Sequence, residues 1–452
     1  MRIHTIVRSA YILTAAVGCC MTNTYAGEAL ISHSDNAMAA VEDRHELHSP
    51  RPDVQRPQQA QPSNDRNVDT GYPPRTMAAR HGRLGGLRPS LDDRGIILEA
   101  SLTTDWSNNL RGGMNTEGST FRHLFNANIT LDTERLFDWE GGTVFVNFQN
   151  HNGPDGSADD VGDAQAFSNI DADGRTEIAE LWFEQILGDG VVRVKVGKVE
   201  ANAEYAYAEN AAEFINSSMG FSPTIFVLPT YPDPATSVNV FIYPKENIYV
   251  GAGVFDGSLQ EGVPTGLRGP RTFFHDPADL FVIAETGVSW DYQGNPGRLA
   301  IGGWWHTGTF TRFDGMTDEE TGGFYLVLDQ TLWQADPDNP ESTRSVSVFF
   351  QYGYADEDVS MIEHHAGAGL AWNGPIDGRD DDVLGLGISA VWFSDEPGAG
   401  FTDDTEVACE LFYKAQLLPW LSLKPDLQYI TNPGGVGLDD ATVATLRIDV
   451  LF

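Results

Sequence analysis

Polar and apolar positions alternate along this chain with a period of two, most plainly near its end. From Thr442 to Phe452, residues Ala444, Leu446, Ile448, Val450 and Phe452 share one face, and Thr445, Arg447 and Asp449 share the other. In the preceding run Leu421, Leu423, Leu427 and Tyr429 oppose Ser422, Lys424, Asp426 and Gln428. A third run, Thr405 to Gln416, sets Val407, Cys409, Leu411 and Tyr413 on its apolar side. Period two is the strand period. A half-buried strand of a water-soluble sheet alternates as well. Here, though, the polar face carries charges of both signs, and the apolar face is aliphatic with aromatics towards its ends. That pairing suits a strand with lipid on one side and a wet lumen on the other.

The pattern recurs upstream, in runs parted by Gly, Pro, Asn and Asp clusters. The runs are 95–107, 120–132, 143–150, 177–187, 191–198, 236–243, 247–255, 281–292, 298–306, 322–333, 344–354, 363–373 and 383–393, followed by the three already described. Gly188-Asp-Gly190 and Pro244-Lys-Glu246 sit where hairpins must turn. The expected fold is all-β, a transmembrane antiparallel β-barrel of sixteen strands. Long connections such as 150–176 and 255–280 read as external loops, and the short ones as periplasmic turns.

The amino terminus adds an export signal. Arg2 and Arg8 precede a short apolar run from Ala10 to Gly18, and Thr24-Tyr-Ala26 is a small-x-small cleavage site, so residues 1–26 read as a signal peptide. Residues 27–86, rich in Pro, Gln, Asp and Arg, read as a disordered segment, and 87–452 as the barrel. Only Cys409 remains after the signal, so no intramolecular disulfide forms, and its apolar face suits a buried or lipid-facing thiol.

Charge excludes one class of partner. The formal net charge of −37 becomes −39 once Arg2 and Arg8 leave, which disfavours nucleic acid. Acidic stretches such as 155–163 and 377–382 read as solvated surface or as a cation-favouring vestibule. Asn169 to Glu180 nearly fits a calcium-loop spacing, but no flanking helices are visible and Glu180 falls in a strand, so a solvated Asp/Gly turn is expected. His364 and His365 point to opposite faces of a strand, and His306 follows Trp304 and Trp305 as part of an interfacial aromatic girdle. No metal site, cofactor or catalytic group is expected, hence no enzyme.

From Leu87 onward the chain resembles the OprB family of carbohydrate-selective outer-membrane porins. The motifs that carry the resemblance are Ala179-Glu-Leu-Trp-Phe-Glu-Gln185, Val194-Lys-Val-Gly-Lys198, Phe214-Ile-Asn-Ser-Ser-Met-Gly220 and Gly251-Ala-Gly-Val-Phe-Asp-Gly257. Others are Gly302-Gly-Trp-Trp-His-Thr-Gly308, Gly323-Phe-Tyr-Leu-Val-Leu-Asp-Gln330, Gly378-Arg-Asp-Asp-Asp-Val-Leu-Gly-Leu-Gly387 and the end of the chain from Glu410. The resemblance implies a sixteen-stranded barrel in a Gram-negative outer membrane, passing sugars such as glucose by diffusion. It also implies lipid and lipopolysaccharide around the barrel, and leaves a homotrimer open. A general or cation-preferring porin, or a secreted soluble carbohydrate-binding protein, are the competing readings.

A passive pore needs side chains that exchange hydrogen bonds with sugar hydroxyls. By alternation Val192, Val194 and Val196 face lipid, so Arg193 and Lys195 face in; Ala179, Leu181, Phe183 and Leu187 face lipid, so Glu180, Trp182 and Glu184 face in. Asn239, Lys424, Asp426, Gln428, Arg447 and Asp449 line other walls by the same rule.

Overall fold

The computed structural model describes residues 87–268, 278–336 and 343–452. The expected signal peptide and the segment 27–86 lie outside these residues. The barrel strands are β1 (Ile96–Arg111), β2 (Thr120–Asp132), β3 (Gly142–Asn152), β4 (Arg175–Leu187), β5 (Val192–Val199), β6 (Ala235–Lys245), β7 (Ile248–Asp256) and β8 (Leu280–Tyr292). They continue as β9 (Asn295–His306), β10 (Thr321–Gln334), β11 (Ser345–Ala355), β12 (Ile362–Asn373), β13 (Val383–Phe393), β14 (Thr405–Leu418), β15 (Leu421–Thr431) and β16 (Ala441–Leu451). Each pairs antiparallel with its sequence neighbours, and β16 pairs with β1 to close the barrel. Closure leaves no unpaired edge, which the hydrocarbon core would punish. All sixteen expected strands are present, with ends shifted by a few residues.

Short turns such as 246–247, 293–294 and 419–420 lie at the end that holds the chain termini. The long connections 153–174 and 200–234, and the described residues 257–268 and 278–279, lie at the opposite end, called outer here. The outward face carries Leu181, Val196, Val250, Ile301, Ile388 and Leu411, all exposed, with Trp106, Trp392 and Tyr429 near its outer rim and Trp139, Trp333 and Trp420 near the other. An apolar band between two aromatic collars is the surface a bilayer requires. Cys409 sits half-exposed on that band beside Leu411.

Ala179 departs from the simple alternation. The β3–β4 register slips between Asn147 and Phe148, so Ala179 is skipped and lies fully buried, while Ile178 takes the outward place. A bulge of this kind reverses the facing of a residue that period two alone would send outward.

The interior glycines are placed by register. Phe241, Tyr249, Tyr325, Phe349 and Phe412 each stand directly opposite a glycine of the next strand: Gly251, Gly287, Gly302, Gly369 and Gly385. The ring lies over the bare backbone; a Cβ on Gly302 would meet Tyr325 Cζ at 2.1 Å. Glycine therefore makes room for an inward aromatic side chain rather than ending a strand.

Candidate functional site in the barrel lumen

The lumen is partly filled by the chain itself. Two connections expected outside, or not assigned at all, fold inward instead. The first is 153–174, where Asp160, Asp163, Gln165, Phe167 and Asp171 are buried. Asp160, Asp163 and Asp171 are therefore no solvated surface, whereas Asp159 and Asp173 are exposed. Asp171 pairs with Arg122 at 2.7 Å, and Asn169 accepts from Arg447 at 2.6 Å, so the calcium-like stretch is held by arginines inside the barrel rather than standing as a solvated turn. Asp163 is fully buried, and burial, then the neighbouring Glu406 and Asp171, push its carboxyl well above the usual carboxylate range.

The second is 200–234, most of it buried and apolar: Tyr205, Phe214, Met219, Phe221 and Ile225 pack against the wall aromatics Phe241, Phe349 and Phe412. This stretch carries few charges, and its apolar residues follow no strand or helix period, so alternation assigns it no element. The signal that could have found it was a long gap between two strands holding many aromatic and aliphatic side chains.

Wall side chains hold the second loop by its backbone. Glu180 accepts from the Glu200 amide at 3.1 Å, Glu285 from Ala206 at 2.8 Å and Asp329 from Asn210 at 2.8 Å. Glu410 accepts from Ile215 and Asn216 at 2.7 and 3.0 Å, and Gln351 donates to the Ser218 and Met219 carbonyls. An irregular loop carries amides that no ladder satisfies, and a carboxylate is their strongest acceptor. Ala206 is held at φ +58°, a left-handed conformation that costs an alanine roughly 1 kcal/mol. The two loops also bond to each other, Asn169 N to Ile215 O at 2.8 Å and Ser217 N to Ala166 O at 3.0 Å.

One strip of the second loop keeps exposed side chains. Tyr207 and Asn210 are half-buried, and Glu209 and Ala212 are exposed. The Arg298 guanidinium from β9 lies 4.1 Å from the Tyr207 ring centre and 3.8 Å from Glu209 Oε1, and also pairs with Asp329 at 3.3 Å. Further along, Glu213 meets Lys414 at 2.5 Å and Lys424 at 2.8 Å.

A family model described as "Carbohydrate-selective porin, OprB family" matches residues 116–452. The chain belongs to the OprB porin family. Porin B of Pseudomonas aeruginosa is 24% identical over 82% of this chain and 90% of its own. The putative porin QuiX of Acinetobacter baylyi is 23% identical over 82% and 92%. The OprB structure from Pseudomonas putida determined at high pH superposes with a TM-score of 0.73 at 21% identity, covering 82% of this chain and 97% of that one. This porin therefore resides in the outer membrane and passes carbohydrates by diffusion, as its family does.

In the porin the residues expected to line the lumen do turn inward. Glu180, Trp182, Glu184, Arg193, Lys195, Asn239, Lys424, Asp426, Gln428 and Arg447 are buried from lipid, and Asp449 is half-buried, accepting from Thr103 at 2.9 Å. Register brings the first six together: Glu184 stands opposite Lys195, and Lys195 opposite Asn239. Lys195 lies 3.8 Å above the Trp182 ring and Arg193 4.3 Å above Phe241. Glu204 of the inserted loop closes on both cations, at 2.6 Å from Arg193 and 2.5 Å from Lys195. Burial alone would raise the Glu204 carboxyl, but the two cations outweigh it and hold the group down at about 2. The second set, on β15 and β16, stays separate: Arg447 pairs with Asp105 at 2.7 Å, and Gln428 donates to the Phe167 carbonyl at 2.7 Å. Both sets thus touch the inserted loops. The residues that sequence reasoning missed are those on the loop strip itself.

Trp304 and His306 also turn inward, fully buried, His306 Nε2 lying 2.9 Å from the Gly257 carbonyl. They belong to the interior rather than to the aromatic girdle, because β9 carries them on its lumen face. His364 and His365 do diverge: His365 lies 3.1 Å from Ser222 Oγ inside, while His364 meets the Tyr352 hydroxyl outside.

Proposed function

We propose that this porin conducts glucose-type monosaccharides and small oligosaccharides, with no catalytic step, along the strip Tyr207–Asn210 and its facing wall. The observation that carries this reading is the mixed chemistry of that strip: a half-buried tyrosine, an amide and an exposed carboxylate, with the buried Arg298 guanidinium behind them. Vicinal hydroxyls suit a carboxylate, amide or guanidinium, and the apolar face of a pyranose suits a ring. The lumen-facing residues read from the sequence then act mainly as the layer that sets the strip in place. Outer-membrane lipid and lipopolysaccharide are the surroundings that the outward apolar band supports.

Single-channel conductance of the refolded protein in a planar bilayer, titrated with glucose, tests the proposal. Stepwise conductance that glucose reduces saturably is expected, and Tyr207→Ala should weaken that block roughly tenfold. The acidity of the chain favours a second reading, a cation-preferring general porin. Strong cation preference with no glucose block would establish it instead.

A further inference from the structure

We infer that Glu213 is a specificity-determining residue, which fills an ammonium pair on the lumen wall and so refuses sugars that carry a carboxylate or phosphate. The inference rests on the sugar-passage reading above and names what that passage excludes. Lys414 on β14 and Lys424 on β15 come from adjacent strands and converge on one carboxylate, Glu213, at 2.5 and 2.8 Å. The Lys424 ammonium also donates to the Glu213 backbone carbonyl at 2.7 Å, which brings the loop residue and the wall together. Two ammonium groups at that spacing are the receptor an anionic solute group would choose. The site is open to solvent, since the Glu213 side chain is 31% exposed and that of Lys414 20%.

The nearby carboxylates also hold other donors. Glu410 spends both oxygens on the Ile215 and Asn216 amides, and Asp426 accepts from Gln428 at 3.2 Å. Glu213 stays ionised in any outer-membrane medium: burial pushes its carboxyl up, but the two lysines outweigh this and hold it well below the usual range. A solute carboxylate would have to displace a tethered carboxylate of the same chemistry, whose effective concentration is far higher. A neutral sugar faces no such competition.

The test uses the full refolded porin in a planar bilayer, with sodium gluconate and glucose as blockers and a potassium chloride gradient for ion preference. Glu213→Gln should lower the gluconate concentration for half block about tenfold and shift permeability towards chloride about threefold. Adding Lys414→Met to that variant should abolish the gain. Lys414→Met alone should shift permeability the opposite way, towards potassium, which tests the pair independently of whether Glu213→Gln folds. Gluconate block and ion preference unchanged in a folded Glu213→Gln channel that conducts would overturn the inference, as would a shift of both single variants in the same direction. Wild-type channels that glucose fails to block, alongside opposite shifts in the two variants, would overturn the sugar reading alone.

Discussion

Glu204 illustrates how a single loop residue is fixed. It sits between Arg193 and Lys195, which Glu184 also contacts, at 2.9 and 3.3 Å. Its folded carboxyl titrates at about 2, below the usual carboxylate value, so the stabilisation it gives is present above that usual value and is lost as pH falls towards 2. Glucose block measured from pH 8 down to pH 5 should therefore be steady as far as this anchor is concerned, and should fail only in strong acid. Glu204→Gln leaves two buried cations short of a partner, a loss of roughly 3–5 kcal/mol to the loop's attachment. Limited proteolysis should then cut within 200–234 while the barrel stays heat-modifiable. Arg193→Ala should weaken glucose block in the same indirect way and leave the barrel folded; unchanged block would separate this wall patch from the passage.

At the scale of a strand, facing decides what a position tolerates. Ile388 lies near the middle of β13 and is 49% exposed on the outward face. Ile388→Arg should cost roughly 2–4 kcal/mol, read from urea unfolding in lipid vesicles, because the charge meets hydrocarbon at mid-depth. The glycine–aromatic pairs make the opposite demand on the inner face. Gly302→Ala forces its methyl into the Tyr325 ring, and a loss of about 1–3 kcal/mol is expected from such overpacking. Tyr325→Phe should cost less, losing only the 2.8 Å hydrogen bond to Glu285.

For the molecule as a whole, the barrel is a frame and two connections fold into its lumen. The wall carboxylates that cleat 200–234 come from β4, β8, β10 and β14, so the loop runs across the lumen instead of standing outside it. Replacing residues 207–212 with a two-glycine link should widen the passage. Single-channel conductance should rise, and glucose block should be lost. A shortened channel with unaltered conductance would show that the narrowest point lies elsewhere.

Alternation by itself determined the barrel. Sixteen runs of period two, an outward band with aromatic ends and inward charges at Arg193, Lys195, Lys424 and Arg447 follow from the order of residues, because lipid and water impose the pattern locally, strand by strand. Even there, Ala179 escaped, since a bulge depends on how two strands register. What only the tertiary structure decided is which connections enter the lumen and what holds them there. Tyr207, Glu209 and Glu213 lie on a loop with no period, and their place is set by partners far along the chain, Arg298, Lys414 and Lys424. A strand's facing is a property of its neighbours in sequence. A loop's path inside a barrel is a property of the closed wall, and that wall exists only once every strand has paired.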